Sequence, residues 1–171
     1  LITLAGEHLI GHVVRRFAPQ VGELLISANR NSDIYKTYSP RVIADSIPEY
    51  PGPLAGILSL MISAKADYLA IVPCDSPFLP ENLVHALARE REQANAEIAV
   101  ASVNGKLQPV FALIDTTLTE SLRQYLTAGD RKIDHWYFQH NALEVDFSAA
   151  ADAFENINSP ADLADAERRI G

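Results

Sequence analysis

Tyr68–Val72, YLAIV, is apolar at every position and rich in residues that favour extended backbone. A strand half exposed to water alternates apolar and polar residues, so an unbroken apolar run must be covered on both faces. Covering both faces of a strand takes two helical layers, which makes this run the strongest constraint on the architecture. The flanking sequence supplies such helices. Pro53–Ala64 places Leu54, Ile57, Leu58 and Met61 on one helical face, with Pro53 suited to the first turn. Glu81–Gln93 turns Leu83, Ala86 and Leu87 inward beneath a charged face.

The same alternation runs through the rest of the chain. Short strands are expected at Leu1–Leu4, Leu24–Ser27, Arg41–Ala44, Ile98–Ser102, Val110–Ile114 and Leu143–Phe147, with a hairpin turn at Asn104-Gly105. Helices are expected from Leu9 to Phe17, Leu118–Leu126, Arg131–Phe138 and Pro160–Ile170, the last capped by Ser159. Strand–helix alternation of this kind predicts a three-layer α/β/α fold with a mostly parallel sheet. With 171 residues and no Pro/Gly/Ser-rich linker, the chain is read as a single domain, residues 1–171.

Charge and cysteine content narrow the function classes. A net charge of −8 argues against non-specific nucleic-acid binding, which needs clustered Lys and Arg. A single nucleotide can still be held by backbone N–H groups and a metal ion. One cysteine, Cys74, allows no intramolecular disulfide, and no run approaches the ~18 apolar residues of a membrane span. No signal peptide is visible, although residue 1 is not Met, and the cytoplasm is the expected compartment.

In a fold of this type ligands bind beyond the carboxyl ends of the strands, which directs attention to the residues that follow each apolar run. Asp75, in VPCDSP, could offer Mg²⁺ an oxygen ligand, or could simply form the turn before Pro77. Asp45 could bind a ribose hydroxyl, a base or a metal-bound water, or cap its loop. Asn29, in SANRN, carries a donor and an acceptor suited to a base edge, and Asn is equally common in turns. Gly52 and Gly56 in GPLAG could let a flat ligand approach a helix start, or let helix pack closely on sheet. Asn156 and Asn158 could grip one polar ligand if their segment is extended, with capping chemistry as the alternative. Cys74 reads better as a small hydrophobe than as a nucleophile, and His8 with His12 is weak evidence for zinc.

Taken in order, LAG (4–6), SANRN (27–31), VIADS (42–46), YPGPLAGI (50–57), VPCDSPFLP (72–80), QPVFAL (108–113) and FENINSPADL (154–163) closely resemble the molybdenum cofactor guanylyltransferases. Those enzymes are Rossmann-like nucleotidyltransferases, and the resemblance runs nearly end to end. It implies conversion of GTP and molybdenum-carrying molybdopterin to molybdopterin guanine dinucleotide and pyrophosphate. It further implies that Leu4, Ala5 and Gly6 line the phosphates, that Asn29 and Asp45 contact the guanosine part, and that Asp75 holds Mg²⁺ as the catalytic metal ligand. Asn156 and Asn158 would face the pterin. Acceptor molybdoenzymes or their chaperones are the possible protein partners.

The resemblance breaks at one place. The family continues from Leu-Ala-Gly into a glycine-rich loop, roughly LAGGxSxRMGxxK, whose Arg and Lys grip the triphosphate. Here Gly6 is followed at once by Glu7, and EHLIGHVV resembles the first family helix beyond that loop. A loop missing between residues 6 and 7 is therefore expected, with Gly6 and Glu7 far apart in space; the alternatives are a very tight turn, or a true deletion that removes the Lys and leaves a binder with little activity. Two alternatives to a guanylyltransferase remain at this point: a relative using another base such as CTP, and a non-catalytic molybdopterin carrier.

Overall fold

In the computed structural model, which describes residues 1–45 and 52–170, a four-stranded sheet forms the centre. The chain runs β1 (Thr3–Leu4), β2 (Glu7–His8), α1 (Leu9–Phe17), β3 (Ile26–Ser27), α2 (Ser32–Tyr35), β4 (Val42–Ile43), α3 (Pro53–Ser63) and β5 (Tyr68–Ile71). It continues through α4 (Leu83–Ala94), β6 (Ile98–Val103), β7 (Lys106–Asp115), α5 (Thr119–Thr127), α6 (Ile133–Tyr137), β8 (Ala142–Asp146) and α7 (Pro160–Ile170). The central sheet has the order β5-β7-β6-β8, and β1-β2 and β3-β4 form two further small sheets.

Strand β6 shows why the layers form. All six of its residues are buried. Because side chains alternate across a strand, Ile98 and Val100 enter one core while Ala99, Ala101 and Val103 enter another. The first core joins α3, α5 and α6 through Leu54, Leu58, Leu122, Leu126 and Trp136. The second joins α1 and α4 through Val13, Phe17, Leu83 and Leu87, with Phe111, Phe147 and Phe154 stacked among them. Helices therefore cover both faces, as the apolar runs require.

The sheet is mixed where a mostly parallel one was expected. Strand β7 lies antiparallel to both β5 and β6, β8 runs parallel to β6, and β3 runs parallel to β4. The Asn104-Gly105 turn is the cause for the β6–β7 pair. Both residues take positive φ, as a two-residue hairpin demands, and Val103 pairs with Lys106 across them. Tyr68–Val72 thus becomes an outer strand of the central sheet, and not its parallel centre.

Pro109 falls within β7, where it cannot donate to the ladder. The register shifts there, from Val100 opposite Ala112 to Ala101 opposite Gln108. The bulge leaves the Pro109 carbonyl to accept a 2.7 Å hydrogen bond from the hydroxyl of the fully buried Tyr137.

The amino-terminal segment corrects two expectations. Leu4 pairs with Glu7 and Thr3 with His8, so Ala5 and Gly6 form a two-residue turn, both at positive φ. Gly6 and Glu7 are therefore neighbours within a tight hairpin, and the wide separation expected for a missing loop is not found. Leu1–Leu4 is also not a buried strand: Leu1 and Ile2 are exposed, and only Leu4 enters a core, with Leu9, Ile157 and Ala166. The β1-β2 and β3-β4 pairs both stay separate from the central sheet.

Tyr137→Phe should cost about 1–3 kcal/mol, because it takes the donor from the half-buried Pro109 carbonyl while leaving the ring's packing intact. Urea unfolding should show a lower midpoint with an unchanged slope, which separates lost stability from a changed denatured state.

Candidate nucleotide-binding site

A cavity of about 450 Å³ opens between the β3 and β5 strands, roofed by α1 and floored by α3. Ile10, Val13 and Phe17 line it from α1, and Gly56, Ile57 and Leu60 from α3. Its walls are largely apolar, while its polar groups gather where β3, β4 and β5 end: Asn29, Asp45 and Asp75. Three residues distant in sequence meet because three strands deliver their following loops to one edge.

Asp45 is held on several sides. Asn29 Nδ2 donates to its Oδ2 at 2.7 Å, and the Asp45 backbone N–H donates back to Asn29 Oδ1 at 2.8 Å. The Ser27 hydroxyl donates to Asp45 Oδ1 at 3.2 Å. Asn29 therefore commits its carbonyl and one of its two N–H groups to Asp45, and orients that carboxylate. A carboxylate has about four acceptor positions, so Asp45 can still take two donors from a bound molecule.

Gly56 explains one glycine of GPLAG. A Cβ on this α3 residue would stand 2.8 Å from Ser27 Oγ and 3.5 Å from Asp45 Oδ1. The missing side chain lets the Ser27–Asp45 pair lie against the helix. Gly52, at φ +117, opens α3 in a conformation that side chains disfavour.

Asp75 is the opposite case. Its Oδ1 is buried with no hydrogen-bond partner, and burial pushes its carboxyl above the ordinary range, partly opposed by a backbone hydrogen bond. A buried carboxylate oxygen without a donor suits a hard cation. Among the described residues no group of three or more His, Cys, Asp or Glu could enclose a metal by itself. An ion at Asp75 would therefore complete its shell with water and phosphate oxygens, which is the usual habit of Mg²⁺. The donor set fits.

The remaining candidates lie elsewhere. Leu4, Ala5 and Gly6 do not line the cavity: Leu4 is buried, with its carbonyl accepting from His12 Nε2 at 2.9 Å, and Ala5-Gly6 is the exposed hairpin turn. His12 is thus tied to the backbone, away from His8. Asn156 lines a separate cavity of about 280 Å³ with Phe78 and Arg169, and its Oδ1 accepts from Ser76 Oγ at 2.5 Å. Asn158 is exposed, and its backbone N–H donates to Asp162. Ser159 and Asp162 exchange hydrogen bonds across the first turn of α7 in a capping box, and the Asn158 N–H together with Ser159 keeps the Asp162 carboxyl below its ordinary range. Asn156 and Asn158 are both exposed on either side of the buried Ile157, and Asn156 already accepts from Ser76. Cys74 also lines the main cavity and is exposed, so it is not a buried hydrophobe, but desolvation by its surroundings and the neighbouring Asp75 push its thiol up, which does not favour the reactive thiolate. Ser27 and Ser76 were not legible as site residues, since a small polar residue gains meaning only from the side chains packed around it.

A three-layer α/β frame that gathers acidic and amide side chains at its strand ends is that of a ligand-binding α/β protein suited to a nucleotide. Comparison with known proteins agrees. The family model described as the MobA-like NTP transferase domain matches residues 1–143. A molybdenum cofactor guanylyltransferase of Shewanella piezotolerans is 44% identical over 160 residues, covering 94% of this chain and 78% of the relative. Its counterpart in Shewanella sediminis is also 44% identical, with 94% and 82% covered. In fold, the chain is similar to molybdopterin-guanine dinucleotide biosynthesis protein A from Archaeoglobus fulgidus, at TM-score 0.80 and 22% identity over 99% of this chain and 88% of that one. It is also similar to 2-C-methyl-D-erythritol 4-phosphate cytidylyltransferase from Thermus thermophilus, at TM-score 0.73 and 16% identity, with 98% and 91% covered. The chain belongs to the MobA-like NTP transferase family.

Gly56→Ala should push Ser27 away from Asp45 and weaken nucleotide binding by about tenfold, the scale of one well-made polar contact. Calorimetric titration with GTP should show this loss while circular dichroism stays unchanged.

Burial of Asp75 has a consequence for stability. A carboxyl raised in the folded state binds its proton more tightly there than in the unfolded chain, so its contribution is greatest below the ordinary value of ~3.9 and is lost as pH rises through the raised value. At neutral pH the ionised group costs stability. Without added metal, Asp75→Asn should raise the melting temperature at pH 7 and not at pH 3, measured by thermal unfolding at both.

Proposed function

We propose that this protein transfers GMP from GTP to molybdenum-carrying molybdopterin, forming molybdopterin guanine dinucleotide and releasing pyrophosphate. The observation that carries this reading is the meeting of Asp45, with its acceptors aimed by Asn29 and Ser27, and Asp75, with its buried unpaired oxygen, in one cavity. Relatives at 44% identity that carry the guanylyltransferase name support it.

Asp45 suits the guanine edge, whose N1–H and exocyclic amine are adjacent donors that a carboxylate can accept together. Asn29 acts through Asp45. The apolar walls of the cavity exclude water from the reacting groups and strengthen polar contacts within it. When bound, Mg²⁺ at Asp75 would offset negative charge on the phosphates. The pterin's terminal phosphate attacks the α-phosphate of GTP in line, the bond to the β-phosphate oxygen breaks, and pyrophosphate leaves. No covalent enzyme intermediate is required, so the residues contribute by positioning and electrostatics.

Leu4, Ala5 and Gly6 are the proposed phosphate contacts by resemblance, yet the hairpin holds them off the main cavity. The first turn of α3, with Gly52 and Pro53 on the cavity wall, offers partial positive charge to a phosphate. Arg and Lys of a glycine-rich loop would offer more. Without them we expect binding of GTP with slow turnover. An intact mass roughly 2 kDa above 18.7 kDa would show that the natural chain carries such a loop. We place the reaction in the cytoplasm, with acceptor molybdoenzymes or their chaperones as partners for the product.

The deciding experiment is pyrophosphate release with molybdopterin, Mg²⁺ and GTP, CTP or ATP in competition. GTP should be preferred, and Asp75→Asn should remove most of the Mg²⁺-dependent rate. Asn29→Ala should narrow the preference for GTP, because a misaligned carboxylate no longer penalises the wrong base. Preference for CTP would indicate the cytidylyl relative, and pterin binding without any pyrophosphate would indicate a carrier.

A further inference from the structure

Asp75 occupies a short connection between β5 and α4 that contains Pro73, Pro77 and Pro80 and makes few backbone hydrogen bonds of its own. Two bonds from a segment 80 residues away hold it. The Ile157 N–H donates to the Asp75 carbonyl at 2.9 Å, and Asn156 Oδ1 accepts from Ser76 Oγ at 2.5 Å. The strap is itself anchored. Ile157 is 3% exposed and packs with Leu4, Leu9 and Ala166, while Ser76 is fully buried. Asn158 and Ser159 are bound to Asp162, so the segment passes directly from this contact into the capped start of α7.

We infer that Asn156 is a positioning residue for Asp75, acting through Ser76, and does not serve primarily as a ligand of the second substrate. Its acceptor is already committed to a buried hydroxyl adjacent to Asp75, and it faces a cavity that Asp75 does not line. Of the two peptide-level contacts, only the Asn156–Ser76 bond depends on side chains, so it alone can be removed while the Ile157–Asp75 bond remains. This inference rests on the nucleotide-transfer reading, in which Asp75 holds the cation.

The test uses the full chain and three single variants: Ser76→Ala removes the donor, Asn156→Leu removes the acceptor at similar volume, and Asn156→Asp keeps an acceptor oxygen. Binding of Mn²⁺ in the presence of GTP is read by electron paramagnetic resonance, and the KM for molybdopterin by pyrophosphate release. Ser76→Ala and Asn156→Leu should each weaken Mn²⁺ binding about tenfold, and the double variant should be no worse than either, as for two ends of one bond. Asn156→Asp should stay within about twofold of the unaltered chain, since its carboxylate can accept from Ser76. Unchanged Mn²⁺ binding in Ser76→Ala and Asn156→Leu would overturn the inference, and a raised KM for molybdopterin in Asn156→Leu alone would return Asn156 to the acceptor side. Failure of the unaltered chain to bind Mn²⁺ with GTP would instead overturn the nucleotide-transfer reading itself, and this inference with it.

Discussion

Burial of β6 on both faces is the constraint from which the rest of the molecule follows. Its residues alternate between two apolar cores, so helices must lie on each side of the sheet, and neither core can be removed without exposing the strand. The small side chains of Ala99 and Ala101 let α4 and the aromatic cluster of Phe111, Phe147 and Phe154 approach one face. The other face takes Ile98 and Val100 against Leu122, Leu126 and Trp136. Once the layers are set, the loops that follow β3, β4 and β5 have one common edge on which to meet. The site is a consequence of the layering.

The two carboxylates at that edge are treated in opposite ways. Asp45 accepts from Asn29 and Ser27 while its own backbone N–H donates to Asn29, which fixes its orientation before any ligand arrives. Such preorganisation lowers the ordering cost of binding. Asp75 is buried without a donor on one oxygen, which raises its carboxyl and leaves an unmet demand for positive charge. A fold tolerates an unsatisfied polar group of this kind at a site that a ligand completes. Asp45 therefore suits recognition, and Asp75 suits charge chemistry.

Much of this arrangement was legible in the sequence because periodicity and turn chemistry are local. The Asn104-Gly105 hairpin, the helix opening at Pro53, and the Ser159 cap of α7 all depend on a few adjacent residues, and all three form as expected. Asn29, Asp45 and Asp75 could be nominated because each follows an apolar run, and the structure brings them to one cavity. Sheet direction was not legible. The pattern of Tyr68–Val72 reports that both faces are covered, but it does not state which strand lies alongside, and β7 proved antiparallel. At Leu4–Glu7 the sequence offers a tight turn only as an alternative to a missing loop, for a related reason: Ala5 is an uncommon residue at positive φ, so the usual Asn-Gly or Asp-Gly hairpin signal is absent.

By itself, the sequence determined that this chain folds in helical and extended layers, where most elements begin and end, and which family it resembles. Those properties rest on side-chain hydrophobicity and backbone preference within a few residues. Tertiary structure alone decided that Asn29 serves Asp45, that Gly56 makes room for Ser27, and that Asn156 reaches Ser76 across 80 residues. A hydrogen bond between distant side chains leaves no periodic trace, because its partners are chosen by how the layers pack and not by their neighbours in the chain.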